Sequence, residues 1–263
     1  MTPDRVPFGF REVTPEEKRS LVREQFDPIA ATYDLADAVL SAGLDERWRK
    51  KGISLLRLRN GDRVLDLCGG TGDFALLAAA RTGEQGRVVI YDFNRRMMEA
   101  GRRKIERSPR GRNILCIEGD AESISFADES FEAVTLGFGL RNFVHLEIGL
   151  REIHRVLKPG GRLLVLEFSL PARRGLRSLY HFYSFRIMPL VARAVSGTAG
   201  PYRYLAESVR VFPPPEEVAE IIRRIGFQDV FFKRLSQGLA TLYTARKQKV
   251  DVLSEEVKNG QGR

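Results

Sequence analysis

The chain has 263 residues, 43% of them hydrophobic and 29% charged, with 43 Lys and Arg against 34 Asp and Glu for a formal net charge of +9. This is the composition of a soluble globular protein, and no window reaches the roughly 18 uninterrupted apolar residues of a membrane span, so any membrane contact is expected to be peripheral. The positive balance suits nucleic acid, an anionic membrane surface or simple solubility, and does not choose among them.

The first residues, Met1-Thr2-Pro3-Asp4-Arg5, carry no basic region followed by an apolar stretch, and the expected location is cytoplasmic, with any membrane contact at its inner face. Cys68 and Cys116 both lie in apolar segments and are expected to be buried thiols, with no metal site. Thr14-Pro15-Glu16-Glu17 reads as a helix start, with Thr14 as cap, Pro15 in the first turn and Glu17 completing a capping box. Helical material is expected across 15–58. Its segment "FDPIAATYDLADAVLSAGLDERWRK" mixes aromatics with acids and bases, so residues 1–60 are expected to form a helical lid and not a core layer.

From residue 62, short apolar runs alternate with helix-length segments: Val64-Leu67, Val88-Tyr91, Ile114-Ile117, Ala133-Leu136 and Leu163-Phe168. Such alternation predicts βαβ units and a parallel sheet. After three prolines, a helix near 216–225 stops at Gly226, and two strands near 228–235 and 239–246 flank Gln237-Gly238 as a hairpin that brings an antiparallel strand into the sheet. Residues 61–247 are thus expected to form one domain with a helical insert at 171–212, and residues 248–263 a frayed tail.

"VLDLCGGTGDFA" at 64–75 ends its strand in a glycine-dense turn, and Gly70-Thr71-Gly72-Asp73-Phe74-Ala75 fits G-x-G-x-x-G/A, with Asp92 closing the next strand. Missing Cβ atoms admit a ligand close to the backbone, and a strand-end carboxylate accepts ribose hydroxyls. NAD and S-adenosylmethionine share those needs. Asp66, before the glycines, favours a cationic ligand over a pyrophosphate, and Asp120-Ala121 after the third strand offers an acceptor for the adenine amine. The plainer reading is that Asp66, Asp92 and Asp120 only cap loops and helices.

At these residues the chain resembles the class I S-adenosylmethionine-dependent methyltransferases, and more narrowly the C-methyltransferases of menaquinone and ubiquinone biosynthesis. The narrower likeness rests on "YDLADAVLSAGLDERWRK", "VLDLCGGTGDFA", "FGLRN", "REIHRVLKPGGRLLVLEFSLP", "LYHFYSF" and "YRYLAESVRVFP", in that order from about 26 to 246. The resemblance implies an α/β fold: a Rossmann-like, seven-stranded, mostly parallel sheet with an antiparallel last strand and helices on both faces. It implies S-adenosylmethionine as methyl donor, released as S-adenosylhomocysteine, and a polyprenylated quinol as acceptor: demethylmenaquinol going to menaquinol, with a polyprenyl methoxy-benzoquinol as the alternative. Asp66, Gly70, Thr71, Gly72, Asp92, Asp120 and Ala121 are the expected donor-binding residues. Asp37 stands where the family usually has Asn, Gly137 where Ser often precedes "FGLRN", and Tyr243 where His is common.

Methyl transfer requires a nucleophile held near 3 Å from the methyl carbon, opposite the leaving sulfur. A phenol like that of Tyr titrates near 10 in water, so the acceptor needs a cation or a base. Arg141 is the candidate to stabilise a phenolate or order a water, its competing reading being a structural ion pair to Glu167, and Asn142 the candidate to orient the second oxygen. Tyr33 is placed either to contact acceptor or donor or simply to pack. His145 and His154 read as surface residues.

The insert is rich in Arg and aromatics: Leu176, Leu179, Tyr180, Tyr183, Ile187, Leu190 and Val191 recur at helical spacing, interrupted by Pro189, which should bend or split the helix. That face either packs on the sheet or, with Phe182, Phe185, Met188 and Arg173, Arg174, Arg177 and Arg186, walls an isoprenoid tail and meets anionic lipid at the inner face of the membrane. A nucleic-acid methyltransferase is a further reading, although the chain lacks an N/D-P-P-Y/F-like motif and no nucleic-acid partner is expected. A homo-oligomer is left open.

Overall fold

The computed structural model describes residues 5–249; the predicted tail from 250 onward and residues 1–4 lie outside the described residues. The chain opens with a hairpin of β1 (Val6–Phe8) and β2 (Arg11–Val13), turned by Gly9 at φ +57. Three-residue strands have no room to show a period, and the sequence reading contains no such hairpin. Helix α1 (Pro15–Phe26) starts as expected: Thr14 Oγ1 accepts from Glu17 N at 3.2 Å and Thr14 N donates to Glu17 Oε2 at 2.8 Å. A 3-10 turn, Asp27–Thr32, leads to α2 (Tyr33–Ser41) and α3 (Leu44–Leu56).

The main body follows in chain order: β3 (Arg63–Leu67), α4 (Asp73–Thr82), β4 (Arg87–Asp92), α5 (Arg95–Glu106), β5 (Ile114–Glu118), β6 (Phe131–Gly137), α6 (Leu146–Val156) and β7 (Leu157–Phe168). The insert carries α7 (Arg174–Phe182), α8 (Met188–Ser196) and α9 (Gly200–Val211), and α10 (Pro215–Arg224), β8 (Phe227–Leu235) and β9 (Ala240–Lys247) complete it. The seven strands lie in the order β5-β4-β3-β6-β7-β9-β8, all parallel except β9, which runs antiparallel between β7 and β8. Chain order reverses between β3 and β6. In an open α/β sheet that is the point where the carboxyl ends of strands leave a crevice for ligands.

The continuous apolar runs of the central strands bury both faces, as a doubly covered parallel sheet demands. Leu65, Leu67, Val134 and Val165 meet α6 and α10, whereas Val64, Ile90, Ala133 and Leu164 meet α3, α4 and α5.

Two expectations are corrected, and one of the two readings of the insert is set aside. Helix α3 is a core layer and not part of a loose lid: Asp45, Trp48, Arg49, Gly52, Ile53 and Leu56 fall on its inner stripe, and Gly52 lets it approach Leu164 and Leu242. Cys116 is exposed, because β5 is an edge strand. The insert does not pack on the sheet. Met188 and Ala192 bury against Ile29, Ala36 and Tyr202, while Leu179 and Leu190 are 62% and 71% exposed. Pro189 is accommodated by one wide π-turn, Tyr183–Ile187, so the helical path widens without breaking.

Candidate active site

After β3 the backbone turns through left-handed conformations at Cys68, Gly70 and Gly72, and Gly72 begins α4 without a capping side chain. Asp66 supplies the missing cap from the strand. Its Oδ2 accepts from Ala75 N at 2.9 Å, and its Oδ1 accepts from Thr135 Oγ1 at 2.8 Å. The turn is held from outside by α5, where a Cβ on Gly101 would lie 2.3 Å from Thr71 O. Ala normally stabilises a helix interior by about 1 kcal/mol over Gly. Here Gly101→Ala is expected to destabilise by about 1–3 kcal/mol through overpacking and to weaken donor binding, checked by thermal melting and calorimetry.

Asp92 Oδ2 accepts from Gly70 N at 2.9 Å and its Oδ1 from Asn94 N at 2.8 Å. Burial pushes the Asp66 carboxyl up to about 7 and that of Asp92 up to about 6. Asp120, more exposed, accepts from Glu122 N at 2.8 Å and pairs with Arg19 of α1 at 3.4 Å. Asp66, Gly70, Thr71 and Asp92 line one cavity; Asp120 and Ala121 line a neighbouring one of about 450 Å³; Cys68, Phe93 and Asn142 line both. The predicted acidic strand ends are therefore brought together, although each also has a capping or loop-tying contact. A carboxylate oxygen accepts two hydrogen bonds, so Asp66 and Asp92 retain capacity for an ammonium and a ribose. With the glycine turn admitting close approach, the residues fit an adenosyl sulfonium donor.

The site contains residues that the sequence reading did not select. Thr71 Oγ1 donates to Asp34 Oδ1 at 2.6 Å and accepts from Lys104 Nζ at 3.2 Å, and Lys104 bridges Asp34 and Asp73. Arg49 is shared by Asp37 at 2.9 Å, Asp45 and Asp73 at 3.6 Å, and lies 5.2 Å over the Phe138 ring. Asp34, Asp37, Asp45 and Arg49 lie within "YDLADAVLSAGLDERWRK" and Asp73 within the glycine turn, whereas Lys104 lies in neither; of their pairings only the (i, i+4) spacing of Asp45 and Arg49 was visible in the sequence.

Beyond the donor cavities lies a third, of about 580 Å³ and mostly apolar lining, which includes Tyr33, Asp37, Arg141, Phe168, Tyr180 and Tyr204. Tyr33 lines both this cavity and the first donor cavity. Burial, with Asp37 adding to it, holds its phenol well above the ordinary range, so Tyr33 stays protonated. Arg141 makes the anticipated ion pair: Nη1 lies 2.8 Å from Glu167 Oε1 and also reaches Phe138 O, and its backbone N donates to Glu167 Oε2 at 3.1 Å. Its buried Nε has no acceptor among the described residues. Asn142 faces the donor cavities and accepts from Tyr204 OH at 2.9 Å. Gly137 is accounted for by Phe74, whose ring would lie 2.7 Å from a Cβ there. Tyr243 is buried in β9 beside Phe232. His154 packs on Phe227, and neither it nor His145 lines any of the three cavities.

A sheet of this order with a glycine turn at its switch point and carboxylates on three successive strand ends defines a class I methyltransferase fold. The chain belongs to the ubiE/COQ5 methyltransferase family, whose sequence model matches residues 12–247. It is 43% identical over 240 residues to the Ubiquinone/menaquinone biosynthesis C-methyltransferase UbiE of Haemophilus ducreyi, covering 91% of this chain and 93% of that one. To the protein of the same name from Legionella pneumophila strain Paris it is 40% identical, covering 91% and 96%. Among solved structures, a SAM dependent methyltransferase from Aquifex aeolicus aligns with a TM-score of 0.53 at 17% identity, covering 89% of this chain and 98% of that one. The cyclase SpnF aligns with 0.57 at 17%, covering 78% and 82%, so fold likeness alone leaves the chemistry open.

Proposed function

We propose that this protein is an S-adenosylmethionine-dependent C-methyltransferase of quinone biosynthesis, acting on a polyprenylated quinol, with demethylmenaquinol as the substrate and menaquinol as the product. One observation carries the reading: a carboxylate-lined donor groove and a roomy apolar cavity meet at Tyr33. The family and the names of the relatives support quinone chemistry. An apolar cavity of this kind is poorly suited to the charged backbone of a nucleic acid.

When bound, S-adenosylmethionine supplies an electrophilic methyl carbon on a positively charged sulfur. The chain's contribution is to bind, orient and exclude water. Asp66, Gly70 and Thr71 hold the amino-acid end of the donor, Asp92 the ribose, and Asp120 with Ala121 the adenine, while Gly72, which faces Ile90 and Ile105, serves the turn itself. An apolar wall raises the pKa of an incoming phenol, since burial disfavours the charged form. The free Nε–H of Arg141 is the donor available to a developing phenolate, Asn142 fixes the second oxygen through Tyr204, and Tyr33 separates the two cavities. Residues 5–41, ahead of the core helix α3, act as the cover of both, and the helical insert at 171–212 walls the acceptor.

The mouth of the acceptor cavity includes Leu179, Phe182 and Ile187, with Phe182 56% exposed, and Arg173, Arg174, Arg177 and Arg186 are exposed along the same insert. Such a rim suits docking on anionic lipid, from which an isoprenoid tail enters. The test is the full chain with labelled donor and vesicles carrying either a naphthoquinol or a methoxy-benzoquinol, the product identified by mass. Label in the naphthoquinol, faster on anionic than on neutral vesicles at low salt, is expected. Label in neither ring ends the quinol reading, and equal rates on both vesicles end its electrostatic part.

A further inference from the structure

We propose that Lys18 is a positioning residue for methyl transfer: from α1 it holds the turn that presents Arg141 and Asn142, an inference that rests on the quinol reading above. That turn is one 3-10 stretch, Leu140–Asn142, which ends at Phe143. Lys18 Nζ donates to Phe143 O at 2.6 Å, across 125 positions of sequence, and the residue is only 3% exposed. The Phe143 ring lies so close to Gly149 of α6 that a Cβ there would overlap it. With its ring wedged and its carbonyl held, Phe143 fixes the end of the turn one residue after Asn142 and two after Arg141.

A lysine at this position does not serve α1 itself. Lys18 shares the buried stripe of the helix with Val22, four residues on, and it sits in the first turn, where the macrodipole favours Glu16 and Glu17 and disfavours a cation. Burial lowers the ammonium to about 8, with Glu122 opposing, so it is still mostly charged at neutral pH. What offsets both costs is the far end of the side chain, where a charged donor makes a stronger bond to a carbonyl than a neutral one would. The turn has other holds: Glu167 of β7 accepts from Arg141, Tyr204 of α9 donates to Asn142, and Glu122 accepts from Val144 N and His145 N. Lys18 brings the hold that comes directly from the cover, and Phe8 of the opening hairpin backs it by stacking on Tyr204 at 4.3 Å.

The cavity that holds Asp120 and Ala121 shows why such a bond matters. It is lined by Arg19, Val22 and Arg23 of α1 and by Asn142, Phe143 and Val144 of the turn, while Lys18 does not line it and instead bonds one wall to the other. Arg141, two residues before Phe143, lines the acceptor cavity. The helix that closes over the adenine end of the donor is therefore the helix that sets the register of Arg141 and Asn142 against the acceptor oxygens. Without the Lys18 bond the donor cavity keeps its lining, but the turn loses that reference, and a displacement of about 1 Å at a positioning group can cost about a hundredfold in rate.

The test uses the full chain with labelled donor and a short-tailed naphthoquinol in micelles. Lys18→Met is expected to lose kcat by about ten- to a hundredfold while calorimetric affinity for S-adenosylhomocysteine stays close to that of wild type. Lys18→Arg, which still offers N–H groups to the carbonyl, should recover part of the loss. Val156→Ala, a core truncation on α6 away from the three cavities, is the stability control and should melt earlier with kcat retained. Independently of turnover, wild type with S-adenosylhomocysteine bound should prefer a naphthol to the same ring without its hydroxyl, because Arg141 Nε–H meets the oxygen. Lys18→Met should lose most of that preference and Lys18→Arg keep it. If Lys18→Met does not fold, Lys18→Gln, whose shorter side chain stops short of the carbonyl, takes its place with the same expectations. Wild-type kcat in the variant, a loss no larger than that of Val156→Ala at equal melting temperature, or an unchanged naphthol preference each overturns this inference alone. No methylation of any quinol by wild type overturns the quinol reading and this inference together.

Discussion

Arg141→Ala is expected to destabilise the protein by about 3–5 kcal/mol, the cost of leaving a buried carboxylate without its partner. Glu167 is only 1% exposed and accepts from Arg141 Nη1, from the Arg141 backbone and from Phe168 N, so water has little room to replace the guanidinium. Turnover by the protein that does fold should fall by about 10²–10³, the range for losing one donor to developing charge. Two further variants separate the contributions. Arg141→Lys keeps the charge beside Glu167 but removes the Nε–H, and is expected to recover stability more than rate. Arg141→Met with Glu167→Gln removes both charges and should regain much of the melting temperature, since neutral packing often replaces a buried ion pair without loss. Normal turnover by that double variant would reduce Arg141 to a structural part.

The second large effect is on pH. The folded protein holds Asp66 up to about 7 and Asp92 up to about 6 because both are buried. In the unfolded chain both ionise near their ordinary value. The raised folded values therefore contribute stability that is fully present below the ordinary carboxylate range and is lost as pH rises through 6 to 7. Binding of a cationic donor has the opposite sign, because it favours the ionised carboxylates. Donor affinity is expected to fall on the order of tenfold or more from pH 7 to pH 5, with protons released on binding near pH 6. Calorimetry in buffers of different ionisation enthalpy measures both quantities. An affinity flat across that range would mean that neither carboxylate meets the donor's positive charge.

Much of this protein was settled by local sequence. The capping box at Thr14 and Glu17, the alternation of buried strands with helices, the glycine turn at 70–72 and the antiparallel final hairpin depend on short-range sterics and periodicity, which a sequence carries within a few residues. The carboxylates at 66, 92 and 120 were legible for the same reason, each being placed by the end of its own strand. Tertiary structure decided what depends on distance between elements. Helix α3 became core because β7 and β9 offer it a surface, and Leu179 and Leu190 became exposed because α8 turned Met188 and Ala192 inward against α2. Pairing of Arg141 with Glu167 joins residues 26 positions apart, the tie of Asp34 to Thr71 and Lys104 spans 37 and 70, and the sharing of Arg49 among three acids reaches 24 positions, to Asp73. Charge and hydrogen bonding act through space, and a linear sequence records which groups are available but not which of them folding will bring within reach.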